Sequence, residues 1–237
     1  MANTVWERLP FSLQAEKLLK FLKLEDDPDM EEEFREVFEK CLAIANPKML
    51  WRTEPVKTID DYTTLVGEYK IHSRILRVNF ENVSSCIPYV ATCGRELYEY
   101  SLSEGDPLTR YWIDAISEEI LRKALVGAME RIRALLSDKN LYAMNPGSLS
   151  DFSIINQRQL FAMLGTVRED IGVELTESCL MLPAKSVSGL LFHSNEHYVN
   201  CALCPREGCT NRRAKFDERL FAQKYAPENI SARKEES

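Results

Sequence analysis

"PLTRYWIDAISEEILRKALVGAMERIRALL", residues 107–136, is the stretch on which the fold turns. Leu108, Trp112, Ile113, Ile116, Ile120, Leu121, Ala124, Leu125, Ala128, Met129, Ile132 and Leu136 recur at helical spacing and make one apolar stripe. About 30 residues at 1.5 Å rise give a rod of about 45 Å, long enough to be the spine of a single domain. On the N-terminal side the period shortens. "SCIPYVATCG" (85–94) predicts a buried strand ending at a glycine turn, and "MLWRTEPV" and "TTLVGEYKI" predict shorter strands. "SRILRVNFENV" predicts a helix between them. On the C-terminal side "NPGSLSD" (145–151) breaks the pattern and "NQRQLFAMLG" resumes a helix. "VELTESCLML" and "SVSGLLF" follow as β-like runs, and "NRRAKFDERLFAQKY" as a charged helix. Few strands flanked by helices define an α+β class in one domain.

The N-terminal 64 residues are expected to pack on that same core. "SLQAEKLLKFLKL" (12–24) predicts an amphipathic helix capped by Ser12. The acidic run "EDDPDMEEEF" suits the first turn of a second helix, where Pro28 fits and negative charge meets the positive end of the dipole. That helix should stop at Asn46-Pro47. Residues 226–237 are expected to form a flexible tail.

The totals exclude several classes. The 237 residues are 45% apolar and 28% charged, which is a globular composition. A formal charge of −7 argues against a nucleic-acid partner, which would need lysine and arginine to displace counterions. No apolar run approaches the roughly 20 residues of a membrane helix, so no membrane role is expected. "MANTVWERLPF" lacks a basic region followed by an apolar stretch, so a cytoplasmic location is expected. Of the seven cysteines, Cys41, Cys86, Cys93 and Cys179 lie among apolar neighbours. Cys201, Cys204 and Cys209 cluster within "HYVNCALCPREGC" (197–209). Their spacing lets thiolates converge on zinc or an iron–sulfur cluster, with His193, His197 or Cys179 as fourth ligand. Free thiols beside Arg206, Arg212 and Arg213, or a disulfide, are the alternatives.

In "LTESCLMLPAKSVSG" (175–189), Pro183 fixes a turn while Ser186, Ser188 and Gly189 offer hydroxyls and bare backbone. This is either a tight hairpin or a loop presenting donors to a polar ligand. The string resembles the signature of the activation domain family of cobalamin-dependent methionine synthase, which includes free-standing relatives. "VATCGRELYEYS" and "WIDAISEEI" resemble its upstream elements, and the similarity runs from about residue 65 to about residue 220, within an α+β domain expected over 65–225.

The resemblance implies a twisted antiparallel sheet and a groove for S-adenosylmethionine. It also implies a role in reductive reactivation of a corrinoid carried by a methyltransferase or corrinoid protein, with a flavodoxin or ferredoxin as electron donor. By that resemblance Pro146, Gly147, Pro183, Ser186, Ser188, Gly189 and Tyr198 line one depression. Ala143 and Ser148 stand where the family has an arginine and a tyrosine. A planar guanidinium grips a carboxylate and alanine cannot, so S-adenosylmethionine binding is expected to be weak or absent. A docking module without catalysis, or a small-ligand sensor that kept the groove, are the alternatives.

Overall fold

The computed structural model describes residues 3–209 and 212–226. The chain begins with strand β1 (Thr4–Trp6), then helices α1 (Ala15–Leu22) and α2 (Pro28–Ile44). Strands β2 (Lys48–Trp51), β3 (Glu54–Thr58), β4 (Thr63–Val66) and β5 (Tyr69–His72) follow, then helix α3 (Arg74–Asn79). Strand β6 (Ser85–Thr92), helix α4 (Arg95–Ser103), helix α5 (Pro107–Leu136) and strand β7 (Leu141–Met144) come next. Helices α6 (Gln157–Leu164) and α7 (Val167–Ile171), strands β8 (Glu174–Leu175), β9 (Met181–Leu182) and β10 (Ser186–His193), and helix α8 (Glu218–Leu220) complete the order.

An eight-stranded sheet of antiparallel pairs organises the molecule. β6 is its centre, buried at every position from Cys86 to Thr92. One edge of β6 pairs with β10, from Thr92 opposite Ser186 to Ile87 opposite Leu191, and β10 in turn pairs with β7. The other edge is shared end to end: β2 covers Tyr89 to Thr92, and β3 covers Ser85 and Cys86. Pro88, which has no N–H to give, falls at the changeover, where its carbonyl accepts from Arg52 N at 3.3 Å. A proline therefore sits in a central strand without breaking either ladder.

Side-chain alternation along β6 builds two cores. Ile87, Tyr89 and Ala91 face α5, whose Ala124, Ala128 and Ile132 let it lie close on the sheet. The N-terminal half of α5 leaves the sheet and packs Trp112, Ile113, Ile116 and Ile120 against α1, α2 and α4. Cys86 and Val90 face the opposite layer, built from α3, α6, α7 and the residues after β10.

The caps explain the best-defined boundaries. Asp106 accepts from Thr109 N at 2.7 Å with Pro107 behind it, and Ser137 closes α5 in the left-handed region at φ 52. Asp27 accepts from Met30 N and sets the start of α2. Other expectations are corrected. Ser12 caps nothing: α1 starts only at Ala15, after Gln14, with no side-chain cap. "VELTESCLML" holds only the two-residue strands β8 and β9 around a turn. The charged C-terminal helix shrinks to α8 and one π-helical turn, Phe221–Tyr225. Among the described residues before it, Arg212 and Asp217 are tied back onto the cysteine loop, which leaves no free run to wind. The tail expected over 226–237 lies, beyond Ala226, outside the described residues.

Candidate functional site

Three segments meet beside β10: the loop after β7, the middle of β10, and the residues from Tyr198 to Asn200. Asn145 joins the first two. Its Nδ2 donates to Tyr89 Oη and to the Ser188 carbonyl, each at 2.8 Å. Gly189 makes this approach feasible, because a Cβ there would lie 2.6 Å from Asn145 Nδ2 and 2.8 Å from the Met144 carbonyl. Gly147 turns the loop at φ +82, a left-handed conformation, and its N–H donates to the Phe152 carbonyl at 2.7 Å. Ser148 Oγ donates to the Asn145 carbonyl at 2.5 Å and accepts from Asn200 Nδ2 at 3.0 Å. Asn200 Oδ1 accepts from Tyr198 Oη at 2.5 Å.

This relay fixes where the predicted residues lie. Pro146, Gly147, Ser188, Gly189 and Tyr198 are brought to one junction. Pro183 and Ser186 form their own turn at the far end of β10, where Ser186 Oγ donates to the Pro183 carbonyl at 2.7 Å. Among the described residues no hydrogen bond or ring contact joins that turn to Tyr198 or to the 145–148 loop. Tyr198 is buried, its ring edge-on to Phe192 at 5.4 Å, and burial holds its hydroxyl well above the ordinary phenol range. Burial likewise pushes Tyr89 up to about 12, partly offset by the Asn145 donor. Ser188 is 2% exposed and its hydroxyl has no partner among the described residues. Asn145, Asn200 and Tyr89 carry the junction, and the sequence reading missed them. Asn145, in front of Pro146-Gly147, reads only as a turn former.

The cysteines do not form the expected ligand set. Among the described residues no three His, Cys, Asp or Glu side chains gather as they would around a metal ion. Cys204 packs against the apolar layer beside Tyr198 and Leu203, whereas Cys201 Sγ accepts from Arg213 N at 3.4 Å. Burial raises the Cys201 thiol, but the N–H groups of Arg213 and Ala214 and the Arg213 side chain outweigh it and hold the thiol below its ordinary value. The loop is held by a guanidinium instead: Arg212 donates to the carbonyls of Cys201, Cys204, Arg206 and Ala214.

The proposed fourth ligands are engaged elsewhere. His193 is bound by Asp138 at 2.9 Å and Asn195 at 3.1 Å. His197 lies against Tyr142, with Nδ1 3.4 Å from its hydroxyl. Cys179 is buried in the β8–β9 turn. The donor set present therefore does not fit zinc or an iron–sulfur cluster.

The architecture defines a class: an antiparallel sheet with helices on both faces, shared with methionine synthase reactivation domains. The chain is similar to the crystal structure of the MetH reactivation domain bound to AdoHcy, with a TM-score of 0.58 at 14% identity, covering 84% of this chain and 81% of that one. Residues 145–215, which span the junction and the cysteine loop, match the family model described as vitamin B12 dependent methionine synthase, activation domain. The resemblance carried by the 175–189 string is thus borne out, and the sheet flanked by helices is the one it implied. No curated protein matches the chain. No described helix is long and apolar enough to cross a membrane.

Proposed function

We propose that this chain docks on a corrinoid-binding methyltransferase or corrinoid protein and assists reductive reactivation of the corrinoid that its partner carries. Electrons would come from a flavodoxin or ferredoxin. The observation that carries the reading is the family match over 145–215, which falls on the junction of Asn145, Gly189 and Tyr198.

S-adenosylmethionine, as methyl donor, is a weak ligand in this reading. Ala143 lies on β7 opposite Leu191, against the apolar layer under α5, and offers no charge to a carboxylate. Losing a charge-assisted bond of about 1.5–3 kcal/mol lowers affinity about tenfold to over a hundredfold. The closed relay from Tyr198 to Asn145 favours a second reading, a docking module that shields the partner's corrinoid without methyl transfer.

The test is an anaerobic mixture of this protein, reduced flavodoxin and a corrinoid methyltransferase loaded with cob(II)alamin, followed by visible absorption. Reactivation is expected to speed the loss of the cob(II) spectrum beyond flavodoxin alone. Binding in calorimetry without that acceleration selects the docking module. Neither binding nor acceleration overturns both readings.

A further inference from the structure

Behind Tyr198, a cavity of ≈ 310 Å³ opens between the end of β10, the cysteine loop and the π-turn, with His197, Leu203, Arg213, Lys224 and Tyr225 among its walls. Pro146, Gly147, Ser186, Ser188 and Gly189 do not line it, so it is separate from the junction. Its volume is at the small end of the range for ligand pockets.

Charge selects the ligand. Lys224 is paired with Glu196 at 2.5 Å across the rim and contributes no net charge. Arg213 forms no ion pair among the described residues; its guanidinium lies by the Cys201 thiol, and its charge is felt at Tyr89. Among the described residues, Arg213 is thus the one cation of the cavity wall without an ion pair, on a protein of net charge −7. The hydroxyls of Tyr198 and Tyr225 are spent on Asn200 and Asn79, so the remaining walls, with Leu203 and Leu220, are largely apolar.

The wall carrying Lys224 and Tyr225 is the π-turn Phe221–Tyr225, a rare backbone form concentrated at functional sites. Buried Arg74 fixes its end, donating to the carbonyls of Tyr225 at 2.6 Å and Ala226 at 2.9 Å. An irregular turn pinned by a buried guanidinium gives the cavity a fixed shape.

We propose that this cavity is a binding site for a small organic monocarboxylate, its carboxylate held by Arg213 and its apolar body set against Leu203, Leu220 and Tyr225. The site stands independently of the corrinoid reading, because no residue of the junction other than Tyr198 takes part.

The experiment is calorimetry of the whole protein with three probes: phenylacetate, its uncharged isostere phenylacetamide, and phenyl phosphate. Phenylacetate is expected to bind at least about tenfold more tightly than the amide, as a charge-assisted bond requires. Arg213→Ala should remove that difference and Arg213→Lys restore part of it. Arg213 is exposed, so both variants should keep the parent's circular dichroism and melting temperature. No detectable phenylacetate binding, equal binding of the amide, or an unaffected Arg213→Ala variant each overturns the site. Arg213-dependent binding of phenyl phosphate tighter than that of phenylacetate overturns the monocarboxylate assignment.

Discussion

At the junction, Asn145, Ser148, Asn200 and Tyr198 spend their polar groups on one another, on Tyr89 and on the Ser188 carbonyl, whereas the described part of the loop from Cys201 to Ala214 is built around a guanidinium that donates to four carbonyls. The junction is a closed relay under a buried tyrosine. In the cysteine loop a second arginine, Arg213, is left facing a cavity. Both regions draw on residues that suggest ligand chemistry in the sequence. The difference teaches that serines, tyrosines and cysteines in a promising string serve a ligand only where the fold leaves them unspent.

The sharpest way to break the comparison is Gly189→Ala. A Cβ 2.6 Å from Asn145 Nδ2 and 2.8 Å from the Met144 carbonyl must push β7 and β10 apart. Overpacking of this kind costs about 3 kcal/mol, and the melting temperature should fall by about 6–12 °C. An unchanged melting temperature would mean that the junction is not closed. Asn145→Ala is next. It leaves the buried Tyr89 hydroxyl without its donor and should cost about 2 kcal/mol in denaturant unfolding. Arg212→Ala should cost about 1 kcal/mol, because the guanidinium is partly solvated, and should speed amide exchange over residues 201–209 and 212–214 while sparing the junction. Loss of protection at Asn145 as well would show that the two regions are one unit.

The smallest effect concerns pH. Hydrogen bonds donated to Asp138, and then to Asn195, raise His193 above the ordinary histidine value. A raised folded-state value means stability that is fully present below the ordinary histidine pKa and lost as pH rises through His193's own. Asp138→Asn should bring the value measured by NMR back toward that of free histidine and flatten this acid-side gain. The site is half exposed, so the change in melting temperature should be slight.

What the sequence disclosed follows the range of the forces involved. Helix α5 was legible to its ends because its signal is local, an apolar stripe sustained over about eight turns; the Asp106 cap that fixes its start came only with the structure. Strand β7 was not legible, because "LYAM" is four residues between a helix and a turn and acquires its role only by pairing with β10. The C-terminal helix was overread because composition favours it, while contacts from Asp217 N to Ala202 and from Arg212 to the cysteine carbonyls override that preference. In the site, Gly189 was visible as bare backbone, and Gly147 entered only through the resemblance. The roles of Asn145 and Asn200 were not legible, since their partners Tyr89 and Ser148 lie 56 and 52 positions away.

The central place of β6 has a consequence for how the chain is made. β6 leaves the ribosome with β2 and β3 already available for one edge, but the strand that covers the other edge is β10. Helices α4 to α7 and β7 must all be synthesised first. At about 5–20 residues per second, the most buried strand of the protein waits for several seconds with a bare, apolar edge. That interval, more than any weakness of the finished fold, is when the nascent chain is most exposed to pairing with a neighbour.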